Sequence, residues 1–183
     1  MSHNEAPTEG RQKIALVMVP ELQSMVLTPT ALERIAAVGD LVTETAVRSA
    51  AEIHPEVAKS VTVLLTSWGA PPLDSAALAH LPQLKLVTHA AGTVQGLATP
   101  EVFARGITVT SAADANAIPV AEFTLAAITM ASKQVFAMRD RHRATRGTAP
   151  TVLEYLDVGN FNRTVGIVGA SRVGRRVAEG LRS

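Results

Sequence analysis

The feature that most restricts the fold of this chain is a series of short apolar runs, rich in branched side chains and spaced by helical stretches. Residues 14–19 (IALVMV) are apolar without alternation, the pattern of a strand covered on both faces. Residues 61–65 (VTVLL), 84–88 (LKLVT) and 107–110 (ITVT) predict further strands, and 41–45 a weaker one. Between them, Thr30 with Glu33 reads as a capping box, Leu32, Ile35 and Ala36 share a helical face, and Gly39 marks a stop. Residues 50–58 predict a weak helix. Asp74 caps a helix that runs to Leu81 and is ended by Pro82, and Pro100 opens a short helix that ends at Gly106. This alternation predicts an α/β, doubly wound parallel sheet. Ligands of such sheets meet the carboxyl ends of the strands, here the loops after Leu65, Thr88 and Thr110.

The rhythm then changes. Residues 117–138 form the longest apolar run, but Pro119, Glu122 and Lys133 interrupt it, so it reads as a buried helix rather than a membrane span. The polar, basic residues 139–150 read as a crossing between two domains. Residues 164–168 (TVGIV) predict a new strand, followed by the turn Gly169, Ala170, Ser171, Arg172, Val173, Gly174 and a helix with Val173, Val177 and Leu181 on one face. One strand and one helix are too little for a domain. The expected organisation is a lead-in at 1–12, a first domain at 13–116, a connecting helix and linker at 117–150, and an incomplete second domain at 151–183.

Composition narrows the chemistry. No cysteine is present, which excludes disulfides, thiolate zinc sites and cysteine nucleophiles. A net charge of +1 argues against nucleic acid or anionic lipid as partners. Apolar residues at 47% supply a core. Residues 1–12 are polar and do not read as a signal peptide, and the lack of cysteine fits a reducing cytosol, so a cytoplasmic location is expected.

The turn at 169–174 is the most suggestive motif. In a dinucleotide fold, one glycine makes the tight turn, a second admits the pyrophosphate, and a third lets helix pack on strand. Gly169 and Gly174 suit the first and third roles, while Ser171 stands at the second. The helix N-terminus offers free amides to phosphate. The acidic residue that grips the adenosine ribose belongs about 20 residues further on, beyond Ser183, so NAD and NADP are not distinguished. His89 closes a strand at the ligand-facing edge and reads as a polar loop residue; His54, His80 and His142 read as solvated. No His, Asp or Glu spacing suggests a metal site. Arg139, Arg141, Arg143 and Arg146 read as a solvated face near a helix C-terminus. Glu122, within an apolar helix, calls for a polar partner.

Taken in order, LPQLKLVTHAAGTVQGL, RGITVTSAADANAIPVAEFTLAAITMA and RTVGIVGASRVGRRVA resemble the D-isomer-specific 2-hydroxyacid dehydrogenase family, to which phosphoglycerate dehydrogenase and glyoxylate/hydroxypyruvate reductases belong. The resemblance runs from Lys13 to Ser183. It implies a flavodoxin-like parallel sheet as substrate domain, followed by the first strand-turn-helix of a Rossmann dinucleotide-binding domain. By resemblance, the backbone around Ala91, Gly92 and Thr93 holds the substrate carboxylate. Val120 lines the nicotinamide side of the cleft, and Gly169, Ser171, Arg172, Val173 and Gly174 form the pyrophosphate turn. The implied partners are NAD or NADP, a small 2-oxo or 2-hydroxy acid, and a second copy in a homodimer, with neither nucleic acid nor membrane. The family's catalytic arginine, glutamate and histidine are expected beyond Ser183, so the chain alone is not expected to turn over. Two departures stand out: many members carry Asp near Gln95, and Ser171 replaces a glycine.

The alternative is a non-catalytic nucleotide-binding or subunit-interaction module derived from the same family. A methyltransferase with a related loop is disfavoured, because Gly166, Ile167 and Val168 offer no acid before it. The strand at 164–168, lacking neighbours, is expected to expose an apolar edge and favour association.

Overall fold

A computed structural model describes residues 10–146, 156 and 158–182. The chain divides into two compact units, Met1–Ala113 and Asp114–Ser183. Most of the expected lead-in lies outside the described residues, and Gln12 already belongs to a strand.

The first unit contains, in order, β1 (Gln12–Val17), the single turn α1 (Gln23–Val26), α2 (Pro29–Val38), β2 (Gly39–Leu41), α3 (Pro55–Ala58), β3 (Val63–Thr66), α4 (Ser75–His80), β4 (Leu86–His89), α5 (Pro100–Ala104) and β5 (Thr108–Ser111). The five strands are all parallel, in the order β2-β1-β3-β4-β5. That is the predicted flavodoxin-like sheet.

The unalternating run of β1 is explained by its two buried faces. Ala15 and Val17 join Leu64, Val87, Leu78 and Val102 on one side, while Ile14, Leu16 and Met18 join Val63, Leu65 and Leu27 on the other. Each fully buried leucine contributes about 2–3 kcal/mol. The central strands therefore dominate the stability of this unit.

Local chemistry moved several boundaries. Thr28, not Thr30, caps α2: its hydroxyl accepts the Ala31 amide at 3.3 Å, and Pro29 follows at the first helical position. The expected strand at 41–45 lies earlier, because Gly39 pairs with Gln12 and a Cβ there would lie 2.7 Å from the Gln12 carbonyl oxygen. Pro55 divides the expected helix at 50–58 into a 3-10 turn, Ala50–Glu52, and α3. Asp74 caps α4 as expected, accepting the Ala77 amide at 2.9 Å.

The second unit holds α6 (Ala113–Ser132, its first residue in the first unit), α7 (Val135–Thr145) and α8 (Arg172–Gly180). The helix expected at 117–138 is therefore two helices. Gln134 adopts a left-handed conformation at φ 49°, and the Ser132 carbonyl accepts the Gly159 amide at 2.9 Å, which ends α6. The supposed crossing at 139–150 is helical as far as Thr145; residues 147–150 lie outside the described residues.

Nor is α6 buried. Only Ala117 and Ala121 are, and Phe123 is 76% exposed. By length and composition alone this helix is apolar enough to cross a membrane. Glu122 is exposed and needs no partner. Residues 164–168 form no strand: a strand exists only as a hydrogen-bonded ladder, and no described residue pairs with this segment.

Candidate functional site

The parallel sheet brings the carboxyl ends of β1, β3, β4 and β5 to one edge of the first unit. There the apolar core gives way to three buried polar residues, Thr66, Ser67 and His89. Ser67 and Thr66 end the VLLTS stretch. Sequence reasoning passed over them, although two hydroxyls closing an apolar strand were the available signal. The Thr66 hydroxyl lies 2.9 Å from His89 Nδ1, and burial pushes the His89 imidazole below its usual value. The Ser67 hydroxyl donates to the Ala90 carbonyl at 3.4 Å. Gly69, at φ 82°, completes the turn after β3, and a Cβ there would lie 2.3 Å from Val19 Cγ2.

Beyond β4 the ladder ends with the Ala90 amide donating to the Thr66 carbonyl at 2.7 Å. The next three amides, those of Ala91, Gly92 and Thr93, donate to no described residue. Ala91 is nevertheless buried. The Thr93 hydroxyl accepts the Gln95 amide at 3.2 Å, and the loop is anchored again where Leu97 and Ala98 donate to the Val94 carbonyl at 3.0 and 2.9 Å. Successive unpaired amides between two fixed points suit an anionic oxygen ligand.

The second unit presents the glycine turn. Gly169 has φ 93°, and a Cβ on Gly174 would stand 2.2 Å from the Gly169 carbonyl oxygen. Neither position accepts a side chain. These are the constraints assigned to the first and third glycines of a dinucleotide turn. Ser171 is the N-cap of α8, and its hydroxyl makes no capping bond to the helix. Val173 is half-buried and Val177 buried, which seats the helix. Val120 lies exposed on α6, and its carbonyl accepts the Thr124 hydroxyl at 2.7 Å.

A cavity of about 610 Å³ is lined by Asp114, Ser171, Arg172, Arg175, Arg176 and Glu179. Asp114 was not anticipated from the sequence: its Oδ1 lies 2.8 Å from Arg172 Nε, 58 residues away. Arg175 donates from Nε to the Ala170 carbonyl at 2.8 Å and braces the turn.

The other sequence candidates have plainer places. His54 caps α3, accepting the Glu56 amide at 3.4 Å. His80, expected to be solvated, sits 2.8 Å from the Ile53 carbonyl oxygen and ties α4 to the end of the 3-10 turn Ala50–Glu52. Arg139 pairs with Asp140 at 2.8 Å and lies over the Phe136 ring. No cluster of metal-binding side chains occurs among the described residues.

The family model for the catalytic domain of D-isomer specific 2-hydroxyacid dehydrogenases matches residues 18–171. The chain is 30% identical over 106 residues to the D-3-phosphoglycerate dehydrogenase of Mycobacterium leprae, covering 58% of this chain and 20% of that protein. The corresponding enzyme of Mycobacterium tuberculosis is 31% identical over 111 residues, with the same coverage. Among solved structures, the chain is similar to a glyoxylate/hydroxypyruvate reductase of Sinorhizobium meliloti in complex with NADP and malonate. Identity there is 20%, coverage 94% of this chain and 50% of that one, and the TM-score 0.63. The D-lactate dehydrogenase of Aquifex aeolicus, complexed with NAD and lactic acid, gives 19% identity, 92% and 48% coverage and a TM-score of 0.65. These structural likenesses carry the fold. The chain spans about a fifth of the length of its curated relatives and about half of these solved chains. With most of its length under the family model, the chain belongs to the D-isomer specific 2-hydroxyacid dehydrogenase family.

Proposed function

We propose that this chain supplies the substrate-binding unit and the opening of the cofactor-binding unit of an NAD(P)-dependent oxidoreductase. The reaction is interconversion of a small 2-oxo acid and its D-2-hydroxy acid. The observation that carries this reading is the run of unpaired amides at Ala91, Gly92 and Thr93, at the carboxyl edge of a parallel sheet in a member of this family. Amides fixed by the fold hold a carboxylate without reorganising, and leave the adjacent carbonyl or hydroxyl carbon to react.

The residues present fit a nicotinamide dinucleotide. The Gly169–Gly174 contact makes the turn as tight as a pyrophosphate requires, and the α8 N-terminus with the Ser171 hydroxyl faces that position with donors. Bound there, the cofactor supplies or accepts a hydride. Ser171, Arg172 and Val173 would hold its phosphates, and Val120 would give an apolar contact to the nicotinamide side. No residue of this chain is assigned the family's catalytic arginine, glutamate or histidine role, and the 183-residue chain by itself is expected to bind without turnover. The exposed apolar residues of α6, Phe123 among them, suit a homodimer interface in a cytoplasmic protein.

A second reading, a non-catalytic nucleotide-binding module, draws on one observation: the Arg172 guanidinium is held by Asp114 rather than left free for phosphate. Titrating the 15N-labelled chain with pyruvate and then with NADH separates the two. Pyruvate is expected to move the amide resonances of residues 91–93. A response to NADH with none to pyruvate would favour the module instead.

A further inference from the structure

The carboxyl edge of the sheet contains a buried titratable side chain that the carboxylate site does not use. His89 is the last residue of β4 and is 7% exposed, and its register partner across the ladder is Thr66, the last residue of β3. Both lie on the sheet face whose deeper positions are Leu64 and Val87, so the pair is the polar end of an apolar layer. Their side chains meet at 2.9 Å.

Three further hydrogen bonds gather around this pair. The Ala90 amide donates to the Thr66 carbonyl at 2.7 Å, the Ala112 amide to the His89 carbonyl at 2.9 Å, and the Ser67 hydroxyl to the Ala90 carbonyl at 3.4 Å. The ends of β3, β4 and β5 are thus fastened at one level. Immediately beyond, the amides of Ala91, Gly92 and Thr93 have no partner among the described residues, so the direction they face is inherited from the last fastened residue.

We propose that His89, through its hydrogen bond with Thr66, is a positioning residue that fixes where β4 leaves the sheet and so aims the amides of residues 91–93. The purpose assigned to those amides rests on the carboxylate reading above. Groups that hold a ligand need neighbours that hold them, and displacement by an ångström weakens the site.

The imidazole does this as a neutral group. Among the described residues no carboxylate, lysine or arginine pairs with it: from β3 it meets the Thr66 hydroxyl, and from the end of β5 the Ala112 amide reaches its carbonyl. The hydroxyl proton serves either tautomer. It donates to Nδ1, or turns to the Thr88 carbonyl 3.5 Å away while Nδ1–H donates to the hydroxyl oxygen. Protonation of the ring instead buries a charge that no described residue offsets, and loosens the tie.

The test is NMR of the 15N-labelled 183-residue chain and its variants. Thr66→Val keeps the volume and loses the hydroxyl; Thr66→Ser keeps the hydroxyl. In T66V the amide resonances of residues 91–93 are expected to shift and the amides of Ala90 and Ala112 to exchange about tenfold faster. T66S retains the wild-type values. In the wild-type protein, the resonances of residues 90–93 are expected to move with the same midpoint as the His89 ring. That titration decides the matter even if T66V fails to fold. Loop resonances indifferent to both the substitution and the ring would overturn the positioning role. A loop that follows His89 but ignores pyruvate upholds the positioning role and overturns the carboxylate reading.

Discussion

Residues 1–113 and 114–183 carry apolar segments of similar composition, and the two units treat them differently. In the first, VLLT becomes β3 with all four residues buried, because β1 and β4 flank it and helices cover both faces. In the second, Ile167 is partly exposed and Val168 fully so, and the segment forms no ladder. Phe123 and Phe161, 76% and 90% exposed, complete the contrast. Branched apolar residues make a chain ready to be a strand, but the neighbouring strand and the covering layer make it one.

The largest effect should separate the two units cleanly. Leu64→Ala removes a fully buried side chain from the central strand and is expected to cost about 3–5 kcal/mol in urea unfolding. Val168→Ala, at a fully exposed position, should change stability by less than about 0.5 kcal/mol. Equal losses would mean that Val168 packs against something in solution, a second copy being the first suspect, and sedimentation would show it.

A smaller, local loss is expected at the glycine turn. Gly174→Ala sets a Cβ 2.2 Å from the Gly169 carbonyl oxygen, a backbone atom that cannot step aside. About 2 kcal/mol of local strain is expected. Hydrogen exchange should quicken across α8 while the amides of β1 and β3 keep their protection. Faster exchange in those strands as well would show that the units unfold together.

What was legible in the sequence follows the same division. The sheet could be read because its rule is local and repeated: IALVMV calls for two covered faces, and the helical stretches between successive runs supply them in a parallel sheet. The boundary at Gln134 could not, since a left-handed glutamine has no composition signal and follows from the Ser132–Gly159 hydrogen bond. The glycine turn was legible because a missing Cβ is a sequence fact. Asp114 was not, because its pairing with Arg172 spans 58 residues. The loop proposed to hold a carboxylate lies between: sheet topology pointed to the segment after Thr88, but backbone amides leave no side-chain signature, so residues 91–93 themselves were reached by resemblance. Their lack of partners among the described residues is a property of the fold.

Acid should weaken the first unit through His89. Burial lowers its folded-state value beneath the unfolded 6.5, so in the window below 6.5 the unfolded chain binds the proton more readily. The contribution is intact above 6.5 and is lost as pH falls toward the depressed folded value. His89→Gln should flatten that part of the stability profile, measured by urea unfolding between pH 7 and 5. An unchanged slope would assign the acid sensitivity to other groups.

The smallest effect concerns Asp114, and it sharpens the comparison because it changes ligand affinity without changing packing. Both members of the Asp114–Arg172 pair are well exposed, at 74% and 60% of their side chains. Exposed pairs of this kind contribute little to folding, so Asp114→Asn should leave the melting temperature where it is. Arg172 stands at the first position of α8, beside the amides assigned to pyrophosphate, and Asp114 holds its guanidinium. Releasing it adds a donor and removes a negative charge from the same 610 Å³ cavity. NADH binding is then expected to tighten by at most about fivefold, the effect shrinking with added salt. Weaker binding in D114N would mean that the carboxylate orients Arg172 toward the phosphates rather than competing with them.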